Sequence, residues 1–298
     1  SAELLTWASR ELGELDATYL VTPAFRDYRR SLNAFDATVV DCPLRLDAIA
    51  PAIDSTPDSP SDLTAAPTAT PSAQDWMDGL IPEPLSSRCG LLFNNPHNPT
   101  GLLCGRDRLK TLLDRFALVV VDEAFMDFLD QDAQQSVVDW VERYPNLVVL
   151  RSLTKFYSLP GLRLGYAIAH PDRLQRWRGW RDPWSVNALA AAAGIAVLAD
   201  DDFQRQTLEW LPGVRSRLCD GLSRIPGLQP QPGAANFLLV RSEQSVVEIQ
   251  ARLLKHHRIL IRDCLSFPEL GDRYFRVAVR TDADNQALLA GLADTLTP

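Results

Sequence analysis

Five short apolar runs in the first half of the chain constrain its fold more than any other feature. They are ATYLV at 17–21, TVVDC at 38–42, GLLFN at 90–94, ALVVVD at 117–122 and NLVVLRS at 146–152. Strands that are apolar on both faces must be covered on both faces, which is typical of a mainly parallel sheet between helices. Helical spacing at 106–116 and 134–143 gives a βαβα pattern, so the sequence predicts the α/β class.

After Arg163 the spacing becomes mainly helical, and strands and helices then alternate to the end of the chain. A chain of 298 residues has room for about two domains of roughly 150 residues each. We predict a boundary near Ala199, with a large domain over 1–199 and a smaller α+β domain over 200–298. The predicted elements are helices at 172–181, 185–198, 203–224, 246–257 and 282–296, and strands at 236–240, 258–263 and 274–279.

The segment 55–79 differs from the rest of the chain in composition. It reads STPDSPSDLTAAPTATPSAQDWMDG and has almost no large apolar residue before Trp76. Such a segment cannot bury enough surface to offset the entropy that ordering it would cost. We predict a mobile surface insertion, and a solvated loop without function is favoured over a lid.

Composition and charge exclude several classes of function. The net charge of -8 and the lack of a Lys/Arg cluster argue against nucleic-acid binding. No apolar run approaches the ~20 residues of a membrane span, and the N-terminal residues lack signal-peptide features, so we expect a cytoplasmic protein. Five scattered cysteines predict buried, reduced thiols. The four histidines do not predict a metal site, although His97 could line a pocket.

The segment VLRSLTKFYSLPGLRLGY at 149–166 contains the first candidate for chemistry. An apolar strand delivers Lys155 to a turn, where desolvation would lower its pKa and free its amine to attack a carbonyl. Ser152, Thr154 and Arg163 together would form a phosphate-binding cup, because Arg presents a fork of donors to phosphate oxygens. On this segment alone, a surface lysine beside a turn is the better interpretation.

Two further motifs follow buried strands and change that judgement. In NNPHNPTG at 94–101, a tight turn could point Asn98 into the crevice at the strand end. In VVVDEAFMDF at 119–128, Asp122 ends a buried strand, where an unpaired carboxylate would be costly, so it should have a cationic partner. Open α/β sheets bind ligands at the carboxyl ends of their strands, and here three such ends offer an amide, a carboxylate and an amine.

Together these motifs resemble the class I and II aminotransferases, which are fold-type-I enzymes that depend on pyridoxal phosphate. The resemblance covers the chain outside 55–79 and implies a three-layer αβα sandwich, like the large domain of aspartate aminotransferase, with a smaller C-terminal domain. It implies that Lys155 holds the cofactor as a Schiff base and that Asp122 pairs with the protonated pyridine nitrogen. Asn98 would bond the ring hydroxyl, and Phe25 would stack on the ring, although ordinary core packing explains Phe25 nearly as well.

The resemblance also implies how the cofactor phosphate is held. Ser152, Thr154 and Arg163 are the implied contacts, and Ser1 and Ala2 match the helix start after the family's Gly-Asn-Gly turn. Backbone N–H groups at a helix N-terminus favour an anion. The glycine turn and the arm before it are absent from this sequence, so we expect a trimmed chain. Family members build the site across a subunit interface, which implies a homodimer.

One residue departs from the family pattern, because Phe125 stands where most aminotransferases have a tyrosine that bonds the ring oxygen. Within the family, the segments at 151–166, 183–191 and 258–280 most resemble L-threonine-O-3-phosphate decarboxylases of cobalamin biosynthesis. Histidinol-phosphate aminotransferases come next.

Both kinds of enzyme act on small phosphorylated amines, which implies that Arg262 and Arg276 bind the substrate's phosphate or carboxylate. For Arg280, a surface salt bridge is equally open. Decarboxylation is favoured by the resemblance, and transamination with Lys155 as general base is the alternative. A non-catalytic relative of the fold is a second alternative.

Overall fold

The computed structural model describes residues 2–45, 76–77, 79–131 and 133–296. A six-stranded sheet forms the centre of the N-terminal part, in the order β2-β1-β3-β4-β5-β6. Strands β1 to β5 run parallel, and β6 pairs with β5 in the antiparallel direction. The strands are β1 (Ala17–Thr22), β2 (Val39–Pro43), β3 (Cys89–Asn94), β4 (Leu118–Asp122), β5 (Leu147–Ser152) and β6 (Gly165–Ala169).

Both faces of the four central strands, β1, β3, β4 and β5, are buried, as the continuous apolar runs predict. Successive side chains of a strand point to opposite faces. Leu92 and Val120 accordingly pack on the side of α1 (Ala2–Gly13) and α4 (Pro171–Arg178). Leu91 and Val119 pack on the other side, against α3 (Arg106–Leu113). The αβα layering and the mainly parallel sheet are therefore confirmed.

The C-terminal part contains a second, antiparallel sheet in the order β7-β8-β10-β9. Helices α6, α7 and α8 cover it and share one apolar core with it. The elements are α5 (Ala188–Leu198), α6 (Asp201–Ser223), β7 (Leu228–Gln231), β8 (Phe237–Ser242), α7 (Val246–His257), β9 (Arg262–Asp263), β10 (Tyr274–Ala278) and α8 (Asp282–Leu296). The boundary at Ala199 falls between α5 and α6, and we retain the division into 1–199 and 200–298 as a proposal.

The helix predicted over 134–143 is wrong. Only a short 3₁₀ turn, Val138–Trp140, forms there. The backbone N–H of Val137 and the hydroxyl of Ser136 instead donate to the buried carboxylate of Glu123. Because these groups solvate a buried charge, the segment is held in an irregular path.

Several element boundaries also differ from the prediction. Helix α2 (Arg26–Asn33), β6 and β7 were not predicted, and the strand expected at 258–263 is limited to β9. Arg258 ends α7 in the left-handed region, with φ 58°, so the residues after it first have to turn before they can pair.

Most of the predicted insertion at 55–79 lies outside the described residues. Met77, however, is fully buried against the sheet, and the Trp76 ring lies 5.4 Å from that of His97. The surface insertion therefore does not extend to these two residues. All five cysteines are free, and four of them are buried. Within the described ranges, no helix is both long and apolar enough to cross a membrane.

Candidate active site

Two adjoining cavities lie at the carboxyl ends of β3, β4 and β5, and they share Phe125, Thr154 and Lys155 in their walls. The smaller cavity has a volume of about 170 Å³ and is lined by residues from the large sheet and from α1 and α2. The larger has a volume of about 630 Å³ and opens toward the C-terminal sheet. Lys155 therefore lies where the two parts of the chain meet.

Asp122 lines the smaller cavity and is held by two hydrogen bonds. The hydroxyl of Tyr28 donates to Oδ2 at 2.8 Å, and the N–H of Ala124 donates to Oδ1 at 3.0 Å. Desolvation raises the pKa of Asp122, and the bonds from Tyr28 and Ala124 and the charge of Lys155 oppose that rise. The charge of Lys155 acts on Asp122, but no cationic side chain among the described residues forms an ion pair with it, so the expected cationic partner stays a prediction. Tyr28 is a contact that the sequence interpretation missed.

Lys155 lies three residues after the end of β5 and lines both cavities. Its amine lies 5.5 Å from the centre of the Phe125 ring. Partial desolvation lowers the pKa of Lys155, the charges of Arg276 and Arg163 lower it further, and Asp122 opposes the shift. The residue surface is nevertheless open to solvent through the cavities, so this is an accessible amine with a weakened preference for its protonated form.

The three residues predicted to form a phosphate cup line the same small cavity. The hydroxyls of Ser152 and Thr154 lie 2.7 Å apart, and Arg163 donates to the carbonyl of Pro160 at 2.8 Å. Arg163 has a left-handed backbone with φ 59°, a conformation that the surrounding turn has to enforce. Ala2, the first residue of α1, lies on the same wall, so a helix N-terminus faces the cup.

Asn98 links the two cavities through Arg276. The guanidinium of Arg276 donates to Asn98 Oδ1, across 178 positions of sequence, and stacks on the Phe237 ring at 4.5 Å. Burial and the nearby Arg262 lower the pKa of Arg276. The Asn98 amide nitrogen, which the bond to Arg276 leaves unused, is the donor that a ring hydroxyl would require.

Arg262 and Arg276 stand directly opposite each other on β9 and β10. Two like charges in this position repel each other. Their partners are neutral groups, Ser266 for Arg262 and Asn98 for Arg276, and neither arginine forms an ion pair with any residue that the structure describes. Both line the larger cavity, so two guanidinium groups that form no ion pair with a described residue face it.

Phe25 lies at the edge of the smaller cavity, with 42% of its surface exposed. Its ring meets that of Tyr28 edge-on at 5.7 Å. Phe125 is buried between the cavities and packs edge-on against Phe237 at 5.1 Å. These aromatic rings provide apolar walls on which a flat ligand could rest.

A buried ion-pair network lies behind the cavity and was not predicted. Glu123 is fully buried and accepts from Arg151 at 2.8 Å, and Arg151 also pairs with Asp127. Glu123 follows Asp122, and Arg151 precedes Ser152. The network therefore joins the ends of β4 and β5 next to the two residues that face the cavity.

Three further residues were considered in the sequence, namely Ser1, His97 and Arg280. Ser1 lies outside the described residues. His97 is fully buried, and burial lowers its pKa to about 3, but it is not part of either cavity wall. Arg280 lines the larger cavity and pairs with Asp284 at 3.1 Å, as the salt-bridge alternative expects. In the part of the chain that the structure describes, no cluster of three or more potential ligands could hold a metal ion.

Comparison with known proteins decides the family. Residues 8–292 match the family model described as aminotransferase class I and II. The chain belongs to this family. The threonine-phosphate decarboxylase of Salmonella typhimurium is 44% identical over 232 residues, which covers 76% of this chain and 63% of that protein. The histidinol-phosphate aminotransferase 1 of Cupriavidus pinatubonensis is 35% identical over 208 residues, covering 68% of this chain and 54% of that protein.

Solved structures agree with the fold. The crystal structure of L-threonine-O-3-phosphate decarboxylase from Porphyromonas gingivalis superimposes with a TM-score of 0.80 at 21% identity. The superposition covers 99% of this chain and 81% of that chain. The chain spans less than two thirds of the length of these two sequence relatives.

Proposed function

We propose that the chain binds pyridoxal phosphate through Lys155 and decarboxylates L-threonine O-3-phosphate to aminopropanol phosphate, a step of cobalamin biosynthesis. The observation that carries this proposal is the arginine pair, Arg262 and Arg276, in the cavity that adjoins Lys155. The 44% identity to a threonine-phosphate decarboxylase supports the choice of substrate.

The donor set of the smaller cavity fits the cofactor. A pyridine nitrogen needs a carboxylate, which Asp122 offers, and a phosphate needs hydroxyls and a cation, which Ser152, Thr154 and Arg163 offer. Asn98 has an amide nitrogen for the ring hydroxyl, and Phe25 offers a ring for stacking. Ala2 adds the N-terminus of α1. When bound, pyridoxal phosphate supplies an electron sink that weakens a bond at the substrate's Cα.

Lys155 has two tasks in this proposal. Its amine attaches the cofactor, and after the substrate displaces it the amine can hold or deliver a proton at Cα. The lowered pKa of Lys155 suits both tasks, because the neutral amine is then available closer to neutral pH. The adjoining Phe125 ring provides an apolar surface beside this amine.

Arg262 and Arg276 would orient the substrate by its anionic groups. A phosphorylated amino acid carries a carboxylate and a phosphate, and two guanidinium forks can each bind one of them in a bidentate way. Histidinol phosphate, the alternative substrate, carries only the phosphate. Which bond at Cα reacts depends on which group the arginines hold in place, so the orientation of the carboxylate is the step that distinguishes a decarboxylase from an aminotransferase.

The deciding experiment offers each substrate to the protein supplied with pyridoxal phosphate. We expect carbon dioxide release from L-threonine O-3-phosphate. In a separate reaction, the protein is given histidinol phosphate and 2-oxoglutarate, and glutamate is measured as the product of amino-group transfer. Glutamate formation without carbon dioxide release from threonine phosphate would establish the aminotransferase alternative instead.

Two properties of the whole protein belong to the same proposal. We propose a homodimer, supported by the exposed apolar side chains of Trp184, Leu189 and Ile195 at and before α5. We also propose a cytoplasmic location, supported by the acidic composition and by the free state of all five cysteines.

A further inference from the structure

Tyr28 is a buried residue of α2 whose hydroxyl reaches the candidate cofactor site. It is 2% exposed, and its O–H donates to Asp122 Oδ2 at 2.8 Å. We propose that Tyr28 is a positioning residue that holds the Asp122 carboxylate in place as the partner of the cofactor's ring nitrogen. This inference rests on the proposed function, because it assigns Tyr28 a role toward pyridoxal phosphate.

The geometry separates this role from simple core packing. The Tyr28 ring packs with Leu5 and Leu32 in the core next to α1, and a phenylalanine ring would fill the same space. The hydroxyl alone extends to the carboxylate. It adds nothing to the apolar core, and its partner is the one carboxylate that ends a strand inside the small cavity. A hydrogen bond there fixes the side-chain torsion of Asp122 rather than filling volume.

One turn of helix combines two contacts to the site. Phe25 precedes α2, and the N–H of Tyr28 donates to the carbonyl of Phe25 at 2.9 Å. Residues three apart on a helix start lie on one side of it. Both residues therefore line the smaller cavity, and their rings pack edge-on against each other.

The pKa shifts of Tyr28 and Asp122 indicate that Tyr28 donates the hydrogen bond and that Asp122 accepts it. Burial and the Asp122 charge raise the pKa of Tyr28 well above its usual value, so the phenol stays protonated and acts as a permanent donor. Desolvation raises the pKa of Asp122, and the Tyr28 bond is the largest effect that opposes it. The other described titratable groups facing the cavity are Lys155, which also favours the carboxylate, and Asp27 and Arg163.

Removing the hydroxyl should therefore protonate Asp122 at a higher pH. The ionised carboxylate is the form that would pair with a protonated ring nitrogen, so this support for cofactor binding is present above the pKa of Asp122 and is lost as pH falls through it. Hydrogen bonds to charged groups contribute about 1.5–3 kcal/mol, which corresponds to roughly one to two pH units. In Tyr28→Phe, the acid limit of pyridoxal phosphate binding should move upward by about that amount.

The experiment measures pyridoxal phosphate affinity by equilibrium dialysis between pH 5 and 8 for the unaltered chain and for Tyr28→Phe. Titration of the free cofactor is identical in both, so the difference reports on the protein. Tyr19→Phe is the matched control, because Tyr19 is also fully buried and accepts a hydrogen bond from Leu85 N–H at 3.0 Å, far from Asp122 in the sheet. It should leave the acid limit unchanged.

A double-mutant cycle with Asp122→Asn completes the test. In that background, Tyr28→Phe should cause no further loss of affinity, because no carboxylate remains to be held. Two results would overturn the inference while the proposed function stands, provided that the unaltered chain binds the cofactor. In the first, Tyr28→Phe leaves the acid limit in place. In the second, Tyr28→Phe weakens binding as much in the Asp122→Asn background as it does when Asp122 is present. Failure of the unaltered chain to bind pyridoxal phosphate at any pH overturns both.

Discussion

At the scale of single residues, the arginines of the larger cavity differ in a way that their sequence positions do not show. Arg276 is half-buried, stacks on Phe237 and, among the residues that the structure describes, hydrogen-bonds to the neutral Asn98 without forming an ion pair. Arg280 is exposed and is neutralised by Asp284. A guanidinium without a carboxylate partner in a cavity is available for a ligand, whereas one that already forms an ion pair gains little from a second anion.

This contrast gives a prediction for the two arginines. Arg276→Gln should lower kcat/KM for the phosphorylated substrate about 10- to 150-fold, since charge-assisted hydrogen bonds contribute about 1.5–3 kcal/mol. Arg280→Gln is the matched control and should change it less than about fivefold, because exposed ion pairs contribute up to ~1 kcal/mol. Steady-state kinetics with both variants is the measurement, and equal losses in the two would contradict the assignment.

The residues that could be named from the sequence are those that end strands or follow them in a recognisable motif, such as Asn98, Asp122 and Lys155. Tyr28 could not be named, because its partner lies 94 positions away and the contact exists only once α2 has folded against the sheet. The same holds for Glu123 and Arg151. A buried carboxylate needs partners, but sequence alone does not show which residues provide them.

At the scale of elements, hydrophobic periodicity predicted most strands of the large sheet. It predicted the wrong structure at 134–143, where a backbone N–H donates to a buried carboxylate instead of to a helix carbonyl. Strands β3, β4 and β5 lie where the Val/Leu runs predicted them. Strand β6 was not predicted, because it is a half-buried edge strand without the continuous apolar run of the central strands. It pairs with β5 in the antiparallel direction. The region 134–143 has helical spacing, yet its backbone solvates Glu123, and tertiary contacts of this kind override local propensity.

Helix α5 is almost entirely apolar, but much of it faces outward. Leu189 and Ile195 are 73% and 75% exposed. A helix that is apolar all round is normally buried, so another surface has to cover it. In the proposed homodimer, the second copy of the chain would cover this helix.

The prediction for α5 is a change in assembly. The unaltered chain should have the mass of a dimer by light scattering, and Leu189→Glu combined with Ile195→Glu should give a monomer, because two charges at the interface centre would lose solvation. Val247→Glu on α7, which is 48% exposed, is the matched control and should remain dimeric. A monomeric unaltered chain, or a dimeric double variant, would contradict the proposed interface.

At the scale of the whole molecule, the candidate site depends on both parts of the chain. The turn after β3 contacts the C-terminal part through the Arg276 bond to Asn98 and through the N–H of Ala234, which donates to the carbonyl of Gly101 at 2.7 Å. Gly101 has φ 79°, and a Cβ added to it would lie 2.9 Å from the Gly233 backbone. Two glycines therefore allow the close approach that brings the arginine cavity beside Lys155.

The α/β class and the split into a parallel and a smaller second part could be predicted, because strand spacing is local information. The joining of the two cavities at Phe125, Thr154 and Lys155 could not, since it depends on how the C-terminal sheet packs against the turn at 98–101. The resemblance to a family predicted which residues from the two parts of the chain belong to one site. The structure supplies the contacts that produce it.

Chemical trapping tests the proposal that Lys155 holds pyridoxal phosphate. The protein is incubated with pyridoxal phosphate, its visible absorbance is recorded, and borohydride is added before peptide mass mapping. We predict an absorbance band that borohydride bleaches and a single phosphopyridoxyl adduct on Lys155, which Lys155→Ala abolishes. Absence of the band, or an adduct on another lysine that persists in Lys155→Ala, would show that Lys155 does not hold the cofactor.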